Sequence, residues 1–496
     1  MNFNGTFTKH LHRAFVHILI DGSIFLMAFI LGTAVRLPDT WPDKIFTYLP
    51  GLIVGTVLMP CTAYILSLYA PRTHNHGRLR RALSVGVCML IAISGTLAAL
   101  YFHMFDGVGR GVLGISAPLA YMGILAHHWI ILAATSKYSE RFAYLLTSQE
   151  DFEDIQSLQR LGGQHLDFVG VFTAPELKLP KGLESLGTTD DMADIIREKN
   201  IDLLICSQHG MQSHKHFAII TRLRYSGKRV MPLMSVFEES NQYVPHELLT
   251  TQWLLEASGI PHVMYIKKAK RLFDVVVSLV GLLFALPLMA FAFIGIKLSS
   301  PGPVFYRQVR CGRFSKPFTV FKLRTMHTDA EKDGAVWSSV AGRDPRAFAF
   351  GAFLRKYRID EVPQMLNVLR GEMSFVGPRP ERPEFVKQLA EEIDFYDERH
   401  MVQPGITGWA QVCYPYGAST KDARRKLEYD LYYMKHMSLF MDLFILLDTV
   451  RTVLFGGVPE PQEAGNTPIP FPAALSAAVA KRTPLAPEAI PASTRA

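Results

Sequence analysis

The sequence predicts an α-helical membrane domain, then a small α/β domain, then a basic α/β-containing domain that begins with one more apolar helix. Three observations lead there. First, 49% of the 496 residues are apolar, a share high for a soluble enzyme and ordinary for a membrane protein with soluble parts. Second, four long apolar segments crowd the start of the chain, and a fifth stands alone at Leu272–Leu298. Third, cations and short strand patterns gather after that fifth segment, around the adjacent carboxylates Asp360 and Glu361. A chain of this length exceeds one ordinary domain.

The membrane domain covers residues 1–140. Its apolar segments, Ala14–Val35, Ile45–Tyr69, Ala82–Phe102 and Val112–Thr135, each approach the ~20 residues that a helix needs to cross a bilayer. Further apolar segments follow the first, which argues against a cleaved signal peptide. The second loop carries Arg72, Arg78, Arg80 and Arg81, whereas the first has Arg36 and Lys44 and the third only Arg110. With Lys9 and Arg13 before the first segment and Lys137 and Arg141 after the fourth, both ends are expected on the cytoplasmic side. The pair His127-His128 inside the fourth segment is polar at membrane depth, where such groups are often functional; interhelical hydrogen bonding or a place near the interface is the favoured reading. Five scattered cysteines show neither a zinc spacing nor a disulfide framework, as befits a reducing compartment.

Residues 141–255 change rhythm. Apolar runs at Ala143–Thr147, Phe168–Phe172 and Leu203–Cys206 alternate with helical patterns at Asp151–Leu161 and Thr189–Lys199, which predicts a parallel sheet. The turn after the first strand, Thr147-Ser148-Gln149-Glu150-Asp151, contains no glycine, so dinucleotide binding is not expected. The one GxGxxG string, Gly109 to Gly114, lies between two membrane segments with no preceding strand and is a chance match.

The third domain covers 267–457. Lys267, Lys268, Lys270 and Arg271 precede the fifth apolar segment, and Lys297, Arg307, Arg310, Arg313 and Lys316 follow it. Positive charge on both sides places both ends on one face of the membrane. Pro287, near the middle, removes a backbone donor, so a re-entrant helix–break–helix is predicted there. Strands are expected at Val304–Tyr306 and Phe318–Phe321, and helices at Phe350–Tyr357, Asp360–Leu369 and Pro383–Arg399. Tyr432–Phe455 is apolar but interrupted by Lys435, His436, Asp442, Asp448 and Arg451, so it is expected to lie against the membrane or the core. The Pro/Ala-rich tail, 458–496, is expected to be disordered.

The chemistry is expected at Asp360-Glu361. At the start of a helix the two side chains diverge by about 100°, so one can face a substrate while the other holds a metal or orients its neighbour. A helix-start carboxylate pair, favoured by the dipole and by the following Pro363, is the plain structural alternative. Lys322, Arg324, Arg343, Arg346, Arg355, Arg358 and Arg379 crowd the same domain. Carboxylates, a divalent metal and arginines together suit phosphoryl transfer. The net charge of +8 also suits anionic lipid or nucleic acid, but the basic residues form no nucleic-acid reader module.

Several ordered motifs then resemble the bacterial sugar transferases: Lys270-Arg271-Leu272-Phe273-Asp274, Ser300 to Gln308, and Phe321-Lys322-Leu323-Arg324-Thr325-Met326. Asp360 to Gln364, Gly377-Pro378-Arg379-Pro380, and Pro404-Gly405-Ile406-Thr407-Gly408-Trp409-Ala410-Gln411 continue the likeness. These are the polyprenyl-phosphate hexose-1-phosphate transferases, and the layout is similar to the large form with four membrane helices and a Rossmann-like domain. The resemblance implies a monotopic catalytic domain on a re-entrant helix, in the bacterial inner membrane with the active site on the cytoplasmic face. It implies transfer of a sugar 1-phosphate from a UDP-hexose, glucose or galactose, to undecaprenyl phosphate, with Mg²⁺ and release of UMP. Asp360 is then the nucleophile, and Asp360 and Glu361 hold the metal. Arg379 binds phosphate, with Arg358, Lys322 and Arg324 as further phosphate ligands, and Pro287 breaks the helix. Implied partners are inner-membrane lipid, polysaccharide assembly and export proteins and a second copy of the chain. After Gln411-Val412 the sequence runs Cys413-Tyr414-Pro415-Tyr416-Gly417, where many members have Asn-Gly-Arg; this resembles an exopolysaccharide-linked subgroup. Membrane-anchored nucleotide-sugar dehydratases share the layout but need a Tyr-x-x-x-Lys pair, which this chain lacks.

Overall fold

A computed structural model describes residues 6–66, 68–69, 78–104, 108–135, 140–148, 151, 166–173, 177, 185–207, 214–258, 263–330, 346–414, 417 and 419–455. The predicted disordered tail, the helical pattern at Asp151–Leu161 beyond its first residue, and Arg343 lie outside these residues. The chain divides into two compact units, Met1–Lys137 with Gln242–Pro461, and Tyr138–Asn241.

In the first unit, α1 (Thr6–Arg36), α2 (Trp41–Ile65), α3 (Arg78–Met104) and α4 (Arg110–Thr135) form a bundle in which each helix packs on its neighbours in the chain and α4 returns to α1. Phe25, Phe29, Leu52, Met59, Cys88, Ala92, Ala120 and Ile124 fill its centre. Large apolar side chains such as Met27, Ile53, Leu90 and Met122 point outward. In water such a surface would be unstable, and in lipid it is what a helix presents. Helices over Val16–Arg36, Trp41–Ile65, Ala82–Phe102 and Lys268–Ser299 are long and apolar enough to cross a membrane.

The second unit is a five-stranded, fully parallel sheet built from β1 (Glu140–Leu146), β2 (Leu166–Thr173), β3 (Ser185–Thr188), β4 (Leu203–Cys206) and β5 (Arg229–Pro232) in the order β3-β2-β1-β4-β5. Its described helices are α5 (Met192–Glu198), α6 (His214–Tyr225) and α7 (Leu233–Asn241). The central strands β1 and β4 are buried almost throughout, as a sheet covered on both faces requires.

The rest of the first unit starts with α8 (Thr251–Ser258) and the long helix α9 (Val263–Ser299). Helix α9 continues across Pro287, so the break expected there does not interrupt the helix. Proline removes one donor and favours a bend, which the remaining ladder of an apolar helix can absorb. One side of α9 meets the C-terminal region at several points between Arg271 and Gly295. Arg271 donates to the Val368 and Leu369 carbonyls, Asp274 accepts from Ser374 and Phe375, Gly281 meets Met365, and Gly295 meets Phe350. The other side exposes Leu272, Leu279, Leu283, Phe284, Phe291, Ile294 and Leu298.

The C-terminal region follows with the antiparallel pair β6 (Phe305–Cys311) and β7 (Pro317–Leu323), then α10 (Ala349–Lys356). The helix predicted at Asp360–Leu369 begins instead as a tight 3₁₀ turn, Ile359–Gln364, and becomes α-helical only in α11 (Met365–Arg370), which Gly371 ends with φ 80°. Then come β8 (Ser374–Val376), α12 (Pro383–Glu392), β9 (Gly405–Thr407), α13 (Trp409–Cys413), α14 (Thr420–His436) and α15 (Leu439–Phe455). The expected Pro383–Arg399 helix stops at Glu392 and resumes as a 3₁₀ turn from Tyr396. The expected single segment Tyr432–Phe455 is cut between α14 and α15, where Ser438 receives the Met441 amide and so starts a new helix. The charges of α15 turn inward: Asp442 pairs with Lys270 at 2.5 Å and with the Tyr433 hydroxyl at 2.7 Å, while Leu439, Phe440, Leu443 and Leu454 are exposed.

Candidate active site

The site is seated on α9. Ala292 and Ile296 form a buried cluster with Val304, Leu323, Phe348, Leu354 and Ile359. Ile359 therefore anchors the turn that carries Asp360 and Glu361 directly to the apolar helix. Arg358, just before it, has φ 54°, a left-handed conformation that a side chain adopts at some cost. That kink starts the turn and lets the Glu361 amide bond back to the Arg358 carbonyl at 3.2 Å.

Two motifs far apart in sequence build the opposite wall. β8 and β9 pair in parallel, Ser374 with Gly405 and Val376 with Thr407. A Cβ on Gly377 would lie 2.4 Å from the Gln403 carbonyl oxygen, and one on Gly408 would lie 2.2 Å from the Gly377 oxygen. Glycine is required because the two backbones touch. The contact aims Arg379 at the turn.

The two carboxylates have opposite surroundings. Glu361 is 6% exposed, and both of its oxygens are occupied: Arg379 lies 2.8 Å and Lys322 3.6 Å from Oε1, and Arg358 lies 3.2 Å from Oε2. Burial alone would raise its pKa, but Arg379, Lys322 and Arg358 outweigh that and hold the carboxyl well below the usual range. Asp360 is 9% exposed and accepts no hydrogen bond from any described residue. Burial first, then the charge of Glu361, push it up to about 6, against the pull of Lys322, Arg355 and Arg379. Burial also brings Lys322 down to about 8, with Glu361 opposing.

Of the residues that the sequence singled out, Asp360, Glu361, Lys322, Arg358 and Arg379 thus come together. Arg324 is committed elsewhere: its guanidinium donates to the Pro303 carbonyl at 2.6 Å, the Ser300 hydroxyl at 2.9 Å and the Ser300 carbonyl at 2.8 Å. It fastens the loop after α9 to β7. Asn367 is equally structural, bonded to Thr319, Phe321 and Glu372. Gln411 was not assigned a role from sequence, yet its Oε1 accepts from Arg379 at 3.0 Å. Its place in the Pro404–Gln411 motif was the available signal. Arg399, buried behind the wall, donates to the Arg379 carbonyl at 3.1 Å and pairs with Asp430 at 2.8 Å.

As it stands, the arrangement fits a magnesium ion at Asp360 more readily than at Glu361. The Asp360 carboxylate has uncommitted oxygens, whereas Glu361 would have to release an arginine to ligate. A metal shared between one carboxylate and substrate phosphates is an ordinary magnesium arrangement.

The comparisons with known proteins fall on this part of the chain. A family model described as bacterial sugar transferase matches residues 265–456, which include every residue of the cluster. The chain is 44% identical over 187 residues to the UDP-N-acetylgalactosamine-undecaprenyl-phosphate N-acetylgalactosaminephosphotransferase of Aeromonas hydrophila, covering 38% of this chain and 44% of that protein. It is 33% identical over 297 residues to the UDP-glucose:undecaprenyl-phosphate glucose-1-phosphate transferase of Xanthomonas campestris pv. campestris, covering 58% and 61%. The chain thus spans about half the length of these two curated relatives. The exopolysaccharide production protein PSS of Rhizobium leguminosarum bv. phaseoli is 41% identical over 193 residues, which are 38% of this chain but 96% of that protein. A stretch of this size is therefore almost a whole protein there.

Proposed function

The chain belongs to the bacterial sugar transferase family, and on that premise we propose that it moves a sugar 1-phosphate from a UDP-hexose to undecaprenyl phosphate. The reaction would start an exopolysaccharide repeat unit at the cytoplasmic face of the inner membrane and release UMP. The observation that carries this reading is the contrast between Asp360, buried and unpaired, and Glu361, locked by three cations.

The roles follow from that contrast. An Asp360 oxygen attacks the phosphorus that bears the sugar, the bond from that phosphorus to the bridging oxygen breaks, and UMP leaves with the electron pair. The aspartyl-phosphosugar is then attacked by an oxygen of undecaprenyl phosphate, which displaces the Asp360 carboxylate and yields the lipid diphosphate sugar. Raised to about 6, Asp360 is mostly ionised at neutral pH yet more basic than an ordinary aspartate, as a carboxylate nucleophile should be. Glu361 holds Arg379, Lys322 and Arg358 in place, so that their positive charge faces the developing phosphate charge. Gln411 fixes the second edge of the Arg379 guanidinium. Mg²⁺ held through Asp360 and the diphosphate would neutralise substrate charge.

The membrane arrangement follows the same reading. At ~1.5 Å per residue the 32 residues of Lys268–Ser299 extend about 48 Å, well beyond the ~30 Å core of a bilayer. Contacts from Arg271 near one end to Ile296 near the other reach the same polar domain, which supports a helix held against that domain, with a bend at Pro287 returning it to the same face. The strand order of the second unit supports a Rossmann-like domain. There Asp151 Oδ2 accepts from the Thr147 and Ser148 amides at 2.6 and 2.9 Å, occupying the donors that would cradle a phosphate. That supports a role other than nucleotide binding.

The test is membrane-bound protein given radiolabelled UDP-glucose or UDP-galactose, undecaprenyl phosphate and Mg²⁺. Labelled lipid and UMP are expected, both lost in Asp360→Asn and on chelation. Full activity of Asp360→Asn would overturn the nucleophile, and label in no lipid with any UDP-hexose would overturn the transfer itself. For the helix, a Ser299→Cys thiol should react only from the cytoplasmic side; labelling from outside would mean a full span.

A further inference from the structure

The four-helix bundle contains a second chemical site that the transferase reaction does not use. Asp21 on α1 is fully buried. It faces His127 Nδ1 at 2.7 Å and His128 Nε2 at 3.0 Å, both from α4, and accepts the Tyr69 hydroxyl at 2.5 Å. The donor atoms of Asp21, His127 and His128 all lie within 4.8 Å of one another. We propose that these three side chains bind a divalent first-row transition metal, of which Zn²⁺ is the best match, and that the ion clamps α1 to α4.

Charge is the first argument. Asp21 has Tyr69, His127 and His128 as its partners among the described residues, and none of them is a lysine or arginine. Three neutral donors leave a net negative charge inside an apolar bundle, which is costly without a cation. A proton on one histidine is the competing source of that charge, and metal retention by the purified chain separates the two. A metal uses both rings and the carboxylate together.

The outer contacts are the second argument. His127 turns its other nitrogen, Nε2, to His17 Nδ1 at 3.2 Å, and Tyr69 holds the Asp21 oxygen that faces His128. Metal-bound histidines and carboxylates ordinarily have such supports, which set ring orientation and tautomer. Two imidazoles and one carboxylate suit Zn²⁺ better than Mg²⁺ or Ca²⁺, which prefer oxygen alone, and leave a fourth position for water.

The experiment uses the full chain, purified in nanodiscs with a tag free of histidine, stripped with chelator and titrated with Zn²⁺ or Co²⁺. One ion per chain should survive desalting, Co²⁺ should give the intense visible bands of a four-coordinate site, and Tm should rise with metal concentration. Asp21→Asn combined with His128→Gln should retain none, while His17→Gln should keep the stoichiometry and weaken affinity about 10–100-fold. No retention by the wild-type chain, or equal retention by the double variant, would overturn the site. If the double variant fails to fold, the wild-type spectrum decides: absent or weak six-coordinate bands would overturn the proposal equally.

Discussion

Asp360 is ionised at neutral pH against the preference of its surroundings, so Asp360→Asn should abolish turnover and stabilise the fold. The carboxyl sits at about 6 in the folded chain against an ordinary 3.8, burial being the main cause and Glu361 the next. A folded state with the higher pKa binds the proton more tightly, so its stability falls as pH rises from the ordinary value through about 6 and then levels off. At ~1.4 kcal/mol per pH unit, the ionised form carries a penalty of about 3 kcal/mol near neutrality. Asparagine has almost the same shape and cannot ionise. Its amide gains no partner where Asp360 had none, which returns about 1 kcal/mol, so the expected net gain is roughly 1–2 kcal/mol. Thermal unfolding of both proteins in nanodiscs, at about pH 5 and about pH 8, reads the difference. The variant should unfold several degrees higher at the alkaline pH and by a smaller margin at the acid one. Equal Tm values at about pH 8, or a gap that ignores pH, would refute the electrostatic account while leaving the loss of turnover to be explained by chemistry alone.

The other site residues give distinct signatures. Glu361→Gln should lower kcat by one to several orders of magnitude, because Arg379, Lys322 and Arg358 lose their common anchor. It should also move the acid limb of the pH–rate profile to lower pH, since the Glu361 charge helps to raise Asp360; an unmoved limb would uncouple the pair. Arg324→Ala should cost about 2–4 kcal/mol of stability by stranding Ser300 and Pro303, with the KM for the UDP-sugar little changed, whereas Arg379→Lys should do the reverse. Denaturation midpoints and steady-state kinetics on both variants separate the two roles. Gly377→Ala should fail to express as folded protein or lose more than about 2 kcal/mol, because its methyl would overlap a backbone oxygen.

Which parts were legible in the sequence depends on how local their cause is. The four bundle helices and the β4 strand could be read because apolar periodicity and length act within one segment. The central pair Asp360-Glu361 and the cations Lys322, Arg358 and Arg379 were found because charge and motif mark them. Arg324 looked equivalent to Arg379 in composition, but the loop at Ser300–Pro303, not the carboxylates, lies within its reach. The Gly377–Pro380 motif set Arg379 apart, but no local signal separated Arg324 from Lys322 and Arg358. Likewise, Pro287 marks a place where a helix can bend, yet α9 continues across it. The His127-His128 pair was visible, but its partner Asp21 lies 106 residues away, so the cluster required the fold. Its interhelical hydrogen bonds are those that the polar pair led one to expect.

The physical division of labour between Asp360 and Glu361 comes from one backbone feature. Neighbouring residues on a regular helix would diverge by about 100° and no more. The left-handed Arg358 and the 3₁₀ turn after it instead press Ile359 into the α9 cluster and turn Glu361 into the cationic wall. Asp360 is left at the edge, with enough burial to raise its pKa and no donor to satisfy it. The apolar helix therefore contributes to reactivity as well as to attachment: its Ala292 and Ile296 hold the turn whose geometry keeps one carboxylate paired and the other free. A change that loosens this seat, such as Ile359→Ala, removes about 2–4 kcal/mol of packing. It should also let Asp360 reach water, lowering its pKa toward the ordinary value. The acid limb of the rate profile would then shift to lower pH even though no charged residue has been touched, and an unchanged limb in a folded Ile359→Ala protein would show that α9 serves as an anchor alone.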